Sequence, residues 1–214
     1  ILASITMSAQ KINGVVYDEK KQPIAGALVY LDGSSIGVLT NDNGLFEITA
    51  QTKIFTSLIV NFTGYETVVI KNPFENGLFT INMVPKANLL NEVTVSKKKI
   101  RFKRVDKLKL FREEFLGNTI AAKHCKILNE SEIRLTYDTK KRRLVATSDE
   151  PIKIYNSFLG YLIEYRIKDC YIEFEWTSIK SRDILGWKFS GSTYFKDLTT
   201  DSTTYAAQRK MSYN

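Results

Sequence analysis

The 214-residue chain is poor in the side chains that do chemistry: it has one histidine, His124, and two cysteines, Cys125 and Cys170. His124 and Cys125 are adjacent, so on a helix they point about 100° apart and on a strand they face opposite sides. A Cys–His nucleophilic pair made from these two is therefore geometrically poor. One histidine and two distant cysteines also lack zinc-ligand spacing. Of the glycines, none is followed by the lysine of a phosphate loop. Asn41 to Gly44 lacks the acidic spacing and closing glutamate of a calcium loop. No stretch approaches the ~18 apolar residues of a membrane-spanning helix. These absences lead to the expectation of a non-enzymatic protein with no cofactor and no metal.

What is present is β-forming sequence: 12 phenylalanines and 11 tyrosines, with 43% hydrophobic and 25% charged residues. The segment Lys11 to Ala50 reads as short strands separated by turns: Ile12 to Tyr17, Ala27 to Leu31, Ile36 to Thr40 and Leu45 to Ile48. Pro23 and the glycines Gly26, Gly33, Gly37, Gly44 and Gly64 supply the reversals and close approaches. Further strands are expected at Phe55 to Phe62, with Leu58, Val60 and Phe62 alternating as in a half-buried strand, and at Tyr65 to Ile70, Leu78 to Val84 and Asn91 to Val95. Seven or so strands with turns every 8–12 residues or so fit a β-sandwich.

Pro23-Ile24-Ala25-Gly26-Ala27, Gly33 to Val38, Thr40-Asn41-Asp42-Asn43-Gly44-Leu45-Phe46 and Ser57 to Thr67 form an ordered set. With Asn13-Gly14 before it and Asn91 to Val95 after it, the set resembles the carboxypeptidase-regulatory-like domain, over residues 11–96. The resemblance implies a seven-stranded, transthyretin-like sandwich of Greek-key type. It also implies a non-catalytic module of exported bacterial proteins, found too at the start of TonB-dependent outer-membrane receptors. Residues 1–10, ILASITMSAQ, are similar to the tail of a signal peptide with cleavage after Ala9. Together these give an expected location in the periplasm or at the outer membrane and cell surface.

Residues 97–105 open a basic linker in which Lys97, Lys98, Lys99, Arg101, Lys103 and Arg104 account for much of the net charge of +8. No recognition motif accompanies these cations, so a solvated linker is expected rather than a nucleic-acid site. Peripheral contact with anionic lipid headgroups is the remaining use of such a run.

Beyond the linker, residues 106–214 read as an α+β domain. Val105, Leu108, Phe111, Phe115 and Leu116 recur at helical spacing, predicting a helix over Asp106 to Leu116 that Asp106 caps and Gly117-Asn118 ends. A weaker helical turn follows through Ala121, Ala122 and Cys125. Strands are then expected at Ile133 to Tyr137, Arg143 to Thr147, Ile152 to Tyr155, Tyr161 to Ile167, Tyr171 to Trp176 and Trp187 to Phe195. Phe115-Leu116-Gly117, Cys125-Lys126-Ile127, Pro151-Ile152 and Leu159-Gly160-Tyr161 with Tyr165 resemble a region of uncharacterised exported bacterial proteins, which implies no activity.

The candidate ligand or partner surface is aromatic: Tyr165, Tyr171, Trp176 and Trp187, alternatively core or cross-strand residues. Glu173 and Glu175 share a strand face, as acid–base pairs do, but the same alternation arises in any sheet with one wet face. Cys125 and Cys170 are either a disulfide, in an exported protein, or two free buried thiols. The expected role is a structural or interaction protein whose partner is an envelope protein or a cell-surface glycan or peptide. The alternatives are the periplasmic part of a TonB-dependent transporter, suggested by Leu90 to Val95, and the accessory region of a hydrolase or peptidase.

Overall fold

The computed structural model describes residues 10–50, 55–75, 78–87, 102–198 and 202–211. The signal-peptide reading of residues 1–9, the strand expected at Asn91 to Val95 and the basic run 97–101 lie outside them. The chain divides into two compact units, Ile1–Asn91 and Glu92–Asn214.

Among the described residues the first unit contains seven strands: β1 (Gln10–Tyr17), β2 (Leu28–Leu31), β3 (Gly37–Leu39), β4 (Leu45–Ala50), β5 (Leu58–Asn61), β6 (Val68–Ile70) and β7 (Leu78–Asn82). They form a three-stranded sheet β4-β1-β7 and a four-stranded sheet β3-β2-β5-β6. In the first, β1 runs antiparallel to β4 and parallel to β7. The period-2 pattern explains the core. Ile12, Val16, Phe46, Ile48 and Ile81 point from one sheet, and Val29, Leu31, Leu58 and Val60 from the other, into one apolar cluster. Thr40, 5% exposed, pins the β2 entry: its hydroxyl accepts from the Ala27 N–H at 2.9 Å and donates to the Ile24 carbonyl at 2.6 Å. Gly44 takes φ +71, and an added Cβ there would stand 2.6 Å from the Val16 carbonyl oxygen. Only glycine fits that turn. Gly37, within the strand expected over Ile36 to Thr40, is the first residue of β3.

One expectation changes in β5, whose residues are buried on both faces rather than alternately. The face away from the core cluster carries Ile59 and Asn61 beside Tyr30 of β2. Its polar atoms are satisfied within the sheet: the Asn61 amide donates to the Tyr30 hydroxyl at 3.1 Å and accepts from Thr67 at 2.7 Å.

Among the described residues the second unit contains α1 (Arg104–Leu116) and α2 (Ile120–Lys123), followed by β8 (Cys125–Ile127), β9 (Arg134–Asp138), β10 (Arg143–Thr147), β11 (Ile152–Asn156), β12 (Tyr161–Phe174), β13 (Ile184–Asp197) and α3 (Ser202–Met211). Helix α1 starts two residues before the expected Asp106. Its N-cap is Lys103, without a side-chain cap, and Asp106 lies in the first turn. Leu110 and Phe111 are its buried residues, whereas Val105, placed on the apolar stripe by its spacing, is 64% exposed. Gly117, at φ +76, ends the helix as expected, its N–H reaching the Glu113 carbonyl.

The sheet is built around β12, which pairs along its length with β13 on one side. On its other side it pairs first with β11 and then with β10. Sequence patterning divides β12 into two strands, and the reason is a bulge. Pairing slips between Ile167 and Asp169, so the extra residue Lys168 shifts the alternation by one. Ile163, Tyr165 and Ile167 before it, and Cys170, Ile172 and Phe174 after it, consequently reach the same apolar cluster as Leu110 and Phe111 of α1. Without that extra residue the second half of the strand would turn its apolar side chains to water.

Candidate functional site

The four aromatic residues singled out in the sequence do not make one platform. Tyr165 lies on the face of the sheet that α1 covers, edge-on to Phe115 with ring centroids 5.1 Å apart. Tyr171 points to the opposite face, beneath the Arg143 guanidinium at 4.0 Å. Trp187 shares the helix side with its cross-strand neighbour Ile172, stacks on Phe189 at 5.4 Å and is 59% exposed. Trp176, 61% exposed, follows the end of β12. The bulge at Lys168 separates Tyr165 from Tyr171: their numbers share parity, but their faces differ.

What the fold brings together instead is an aromatic groove on the helix side. Phe115 stacks on Phe111 at 5.0 Å and meets Phe189 edge-on at 5.5 Å. Past these rings, a cleft of about 310 Å³ is lined by Phe115, Leu116, Cys125, Ile154, Ile163, Tyr165 and Phe189. Helical spacing on α1 supplies Phe111 and Phe115, and strand alternation supplies Ile163, Tyr165 and Phe189. Such a cleft suits an apolar side chain or a ring.

The opposite face of this sheet is a ladder of mutually paired charges. Arg143 reaches Glu173 at 2.8 Å, Lys188 reaches Asp169 at 2.6 Å and Lys196 reaches Glu164 at 2.6 Å. Glu173 is thus held by a cation on the neighbouring strand, and Glu175 lies past the end of β12, where its backbone N–H bonds the Asp183 carbonyl. The two carboxylates are an ordinary wet face and its continuation, as the alternation allows.

Both cysteines are free thiols. Cys125 pairs with Asn156, which pairs with Tyr161, and Cys170 stands nine residues farther along β12. At about 3.3 Å per residue, that spacing places the two Cα atoms far beyond the ~4.4–6.8 Å separation of a disulfide. Burial pushes the Cys125 thiol up, partly offset by the Asn156 amide bonded to its sulfur. Burial pushes Cys170 up to about 12. Neither is an activated nucleophile. His124, after α2, stacks on Phe158 at 5.4 Å. Among the described residues no group of three or more His, Cys, Asp and Glu side chains could hold a metal ion.

Part of the basic segment has a structural use. Strand β9 is a sheet edge, paired only with β10 among the described residues. The Arg104 guanidinium donates to the Ile133 and Glu130 carbonyls at 3.0 and 2.7 Å, and the Lys107 ammonium to the Leu135 carbonyl at 2.5 Å. Lys107 thus occupies one carbonyl of that edge and Arg104 the backbone leading into it, which blunts the edge as a template for another strand. Burial pulls Lys107 below its ordinary value, and Arg104 adds to the effect.

Two positioning residues have no signal in the sequence. Asn156, 2% exposed, donates to the Cys125 sulfur at 3.2 Å and the Ala121 carbonyl at 3.3 Å. Its oxygen accepts from the N–H groups of Phe158 and Leu159, so it ties α2 and β8 to the β11–β12 turn. Arg209 on α3 grips both Asp197 oxygens, bonds the Leu159 carbonyl and lies 3.9 Å over the Tyr161 ring. Each acts through partners far away in sequence.

The geometry of the first unit agrees with a family comparison. Residues 12–95 match the family model of the CarboxypepD_reg-like domain. No curated protein matches the chain. Among solved structures, the chain is similar to the Coh3ScaB–XDoc_M2ScaA complex, a C-terminal interface mutant of a type II cohesin–X-dockerin complex from Acetivibrio cellulolyticus. The match has 22% identity and a TM-score of 0.30, and covers 35% of this chain and 56% of that chain. This chain thus spans little more than half the length of that relative.

Proposed function

We propose that the protein is a non-enzymatic interaction module of the bacterial envelope, in which the sandwich supports a second unit that engages a partner. The observation that carries this reading is the aromatic groove between α1 and the sheet, with Phe115, Leu116, Tyr165 and Phe189 along its walls. Its cysteine is held protonated by burial. On the other face Arg143, Lys188 and Lys196 are engaged with Glu173, Asp169 and Glu164. Apolar walls without a converging acid–base set favour binding over bond-making. The CarboxypepD_reg-like match and the signal-peptide-like character of residues 1–10 support export to the periplasm or outer membrane.

The test places a photoreactive phenylalanine analogue at position 116, within the groove, and separately at position 153 on the opposite face, in the full chain expressed in its native cells. Envelope fractionation followed by irradiation should give a discrete cross-linked protein from position 116 and none from position 153. Recovery of the chain in the cytosolic fraction, or equal cross-linking from both positions, would refute the proposal.

A further inference from the structure

Among the described residues the sheet of the second unit has three edges, and they are not equally protected. Strand β8 is three residues long, too short to template much pairing. Strand β9 is five residues long, with its Leu135 carbonyl bonded by Lys107 and the Ile133 carbonyl just before it bonded by Arg104. Strand β13 is 14 residues long and, among the described residues, pairs only with β12. Its first half is open to solvent: Leu185 and Trp187 are 62% and 59% exposed, and Gly191 is exposed too. A long, uncovered edge with large apolar side chains is an uncommon feature in a stable protein, because it recruits strands.

We propose that the Leu185–Gly191 edge of β13 takes an extended strand from a partner protein, with an acidic residue opposite Lys188 and apolar residues on either side of it. This deepens the interaction reading above and rests on it. Added backbone hydrogen bonds would extend the sheet, and side chains alternating between faces would set the choice of strand. On the helix side the incoming strand meets Trp187 and Phe189, which are already stacked on each other. On the other face it meets Lys188, whose ammonium lies 2.6 Å from Asp169 and remains about half exposed. A carboxylate on the new strand would continue the Asp169–Lys188 ladder by one rung. A second copy fits less well. Antiparallel self-pairing of 185–191 puts Lys188 opposite Lys188, and like charges directly opposed are destabilising.

An array of extended nine-residue peptides with fixed apolar/charged alternation tests this against the full-length protein. Peptides with glutamate at the alternate positions should be retained about tenfold or more over the same peptides with lysine, with amide exchange slowed at 185–191. Lys188→Glu should reverse the preference, and Lys153→Glu on the same face should leave it unchanged. Equal retention of both peptide sets, or retention without protection at 185–191, would overturn the assignment. Concentration-dependent dimerisation that protects the same amides would overturn it in favour of a second copy. If the edge fails while position 116 still cross-links to an envelope protein, only the strand-addition assignment falls.

Discussion

The ring of Tyr165 lies against Gly191, its diagonal neighbour on β13. A Cβ built on Gly191 would stand 2.9 Å from Tyr165 Cζ and 2.2 Å from the Arg166 carbonyl oxygen. Contact with a backbone oxygen at that distance has no flexible side chain to absorb it, so the two long strands must separate locally. Gly191→Ala should therefore destabilise the second unit by about 1–3 kcal/mol, the usual range for overpacking. Gly186→Ala, where a Cβ meets nothing within 4 Å, is the control and should be near neutral. Urea denaturation of both variants checks the difference, and equal effects would contradict it.

Asn156 is the second position where one side chain governs a local fold. Replacing it with alanine removes the bonds to Cys125 and Ala121 and leaves the Phe158 and Leu159 N–H groups without their acceptor. Each buried polar group left unsatisfied costs about 1–3 kcal/mol. Asn156→Asp keeps the acceptor for the turn but loses the amide donors, so it should retain part of the stability that Asn156→Ala loses. Thermal unfolding of the two variants ranks them, and the opposite ranking would show that the donors to α2 and β8 matter more than the turn.

The sandwich was legible because its rules are local. Alternation, turn glycines and the Thr40–Asn41–Gly44 reversal all act within a few residues. The β12 bulge shows where local reading stops. Tyr161 to Phe174 looks like two strands because the apolar parity changes at Lys168, and only pairing with β13 reveals one continuous element. The same change of parity is why Tyr165 and Tyr171, read as companions, face opposite ways. Arg209 and α3 were invisible for a different reason: the stabilising partners, Asp197, Leu159 and Tyr161, are assembled by tertiary structure. The groove was half legible, since helical spacing gave Phe111 and Phe115 but nothing in the sequence paired them with Phe189.

Cys170 makes stability depend on alkaline pH. Its folded value of about 12 lies above the ordinary 9.0, so the folded state holds the proton more tightly than the unfolded chain. The stabilisation is fully present below pH 9 and is lost as pH rises from there through about 12. Between pH 8 and pH 10 this one group should remove about 1 kcal/mol. Cys170→Ala will lower stability at every pH, but its loss between those two pH values should be smaller than in the parent by that amount. Denaturant melts at pH 8 and pH 10 measure the difference, and parallel losses in the two proteins would show that the thiol does not titrate as described.

Arg209 is the bolt that holds α3. Its guanidinium contacts Asp197 at 2.8 and 2.9 Å, the Leu159 carbonyl at 2.9 Å and the face of Tyr161 at 3.9 Å. A forked charge-assisted contact stacked on a ring is specific to arginine, so lysine cannot reproduce it. Arg209→Ala should release α3 while the sheet stays folded, raising amide exchange over residues 205–211 roughly tenfold to a hundredfold. Arg209→Lys should fall between the two, because it keeps the charge but loses the fork and the stacking. Lys210→Ala, at an exposed position on the same helix, should change little. If Arg209→Ala instead lowers the melting temperature of the whole second unit, α3 belongs to its cooperative core, and the hinge-like release described here does not occur.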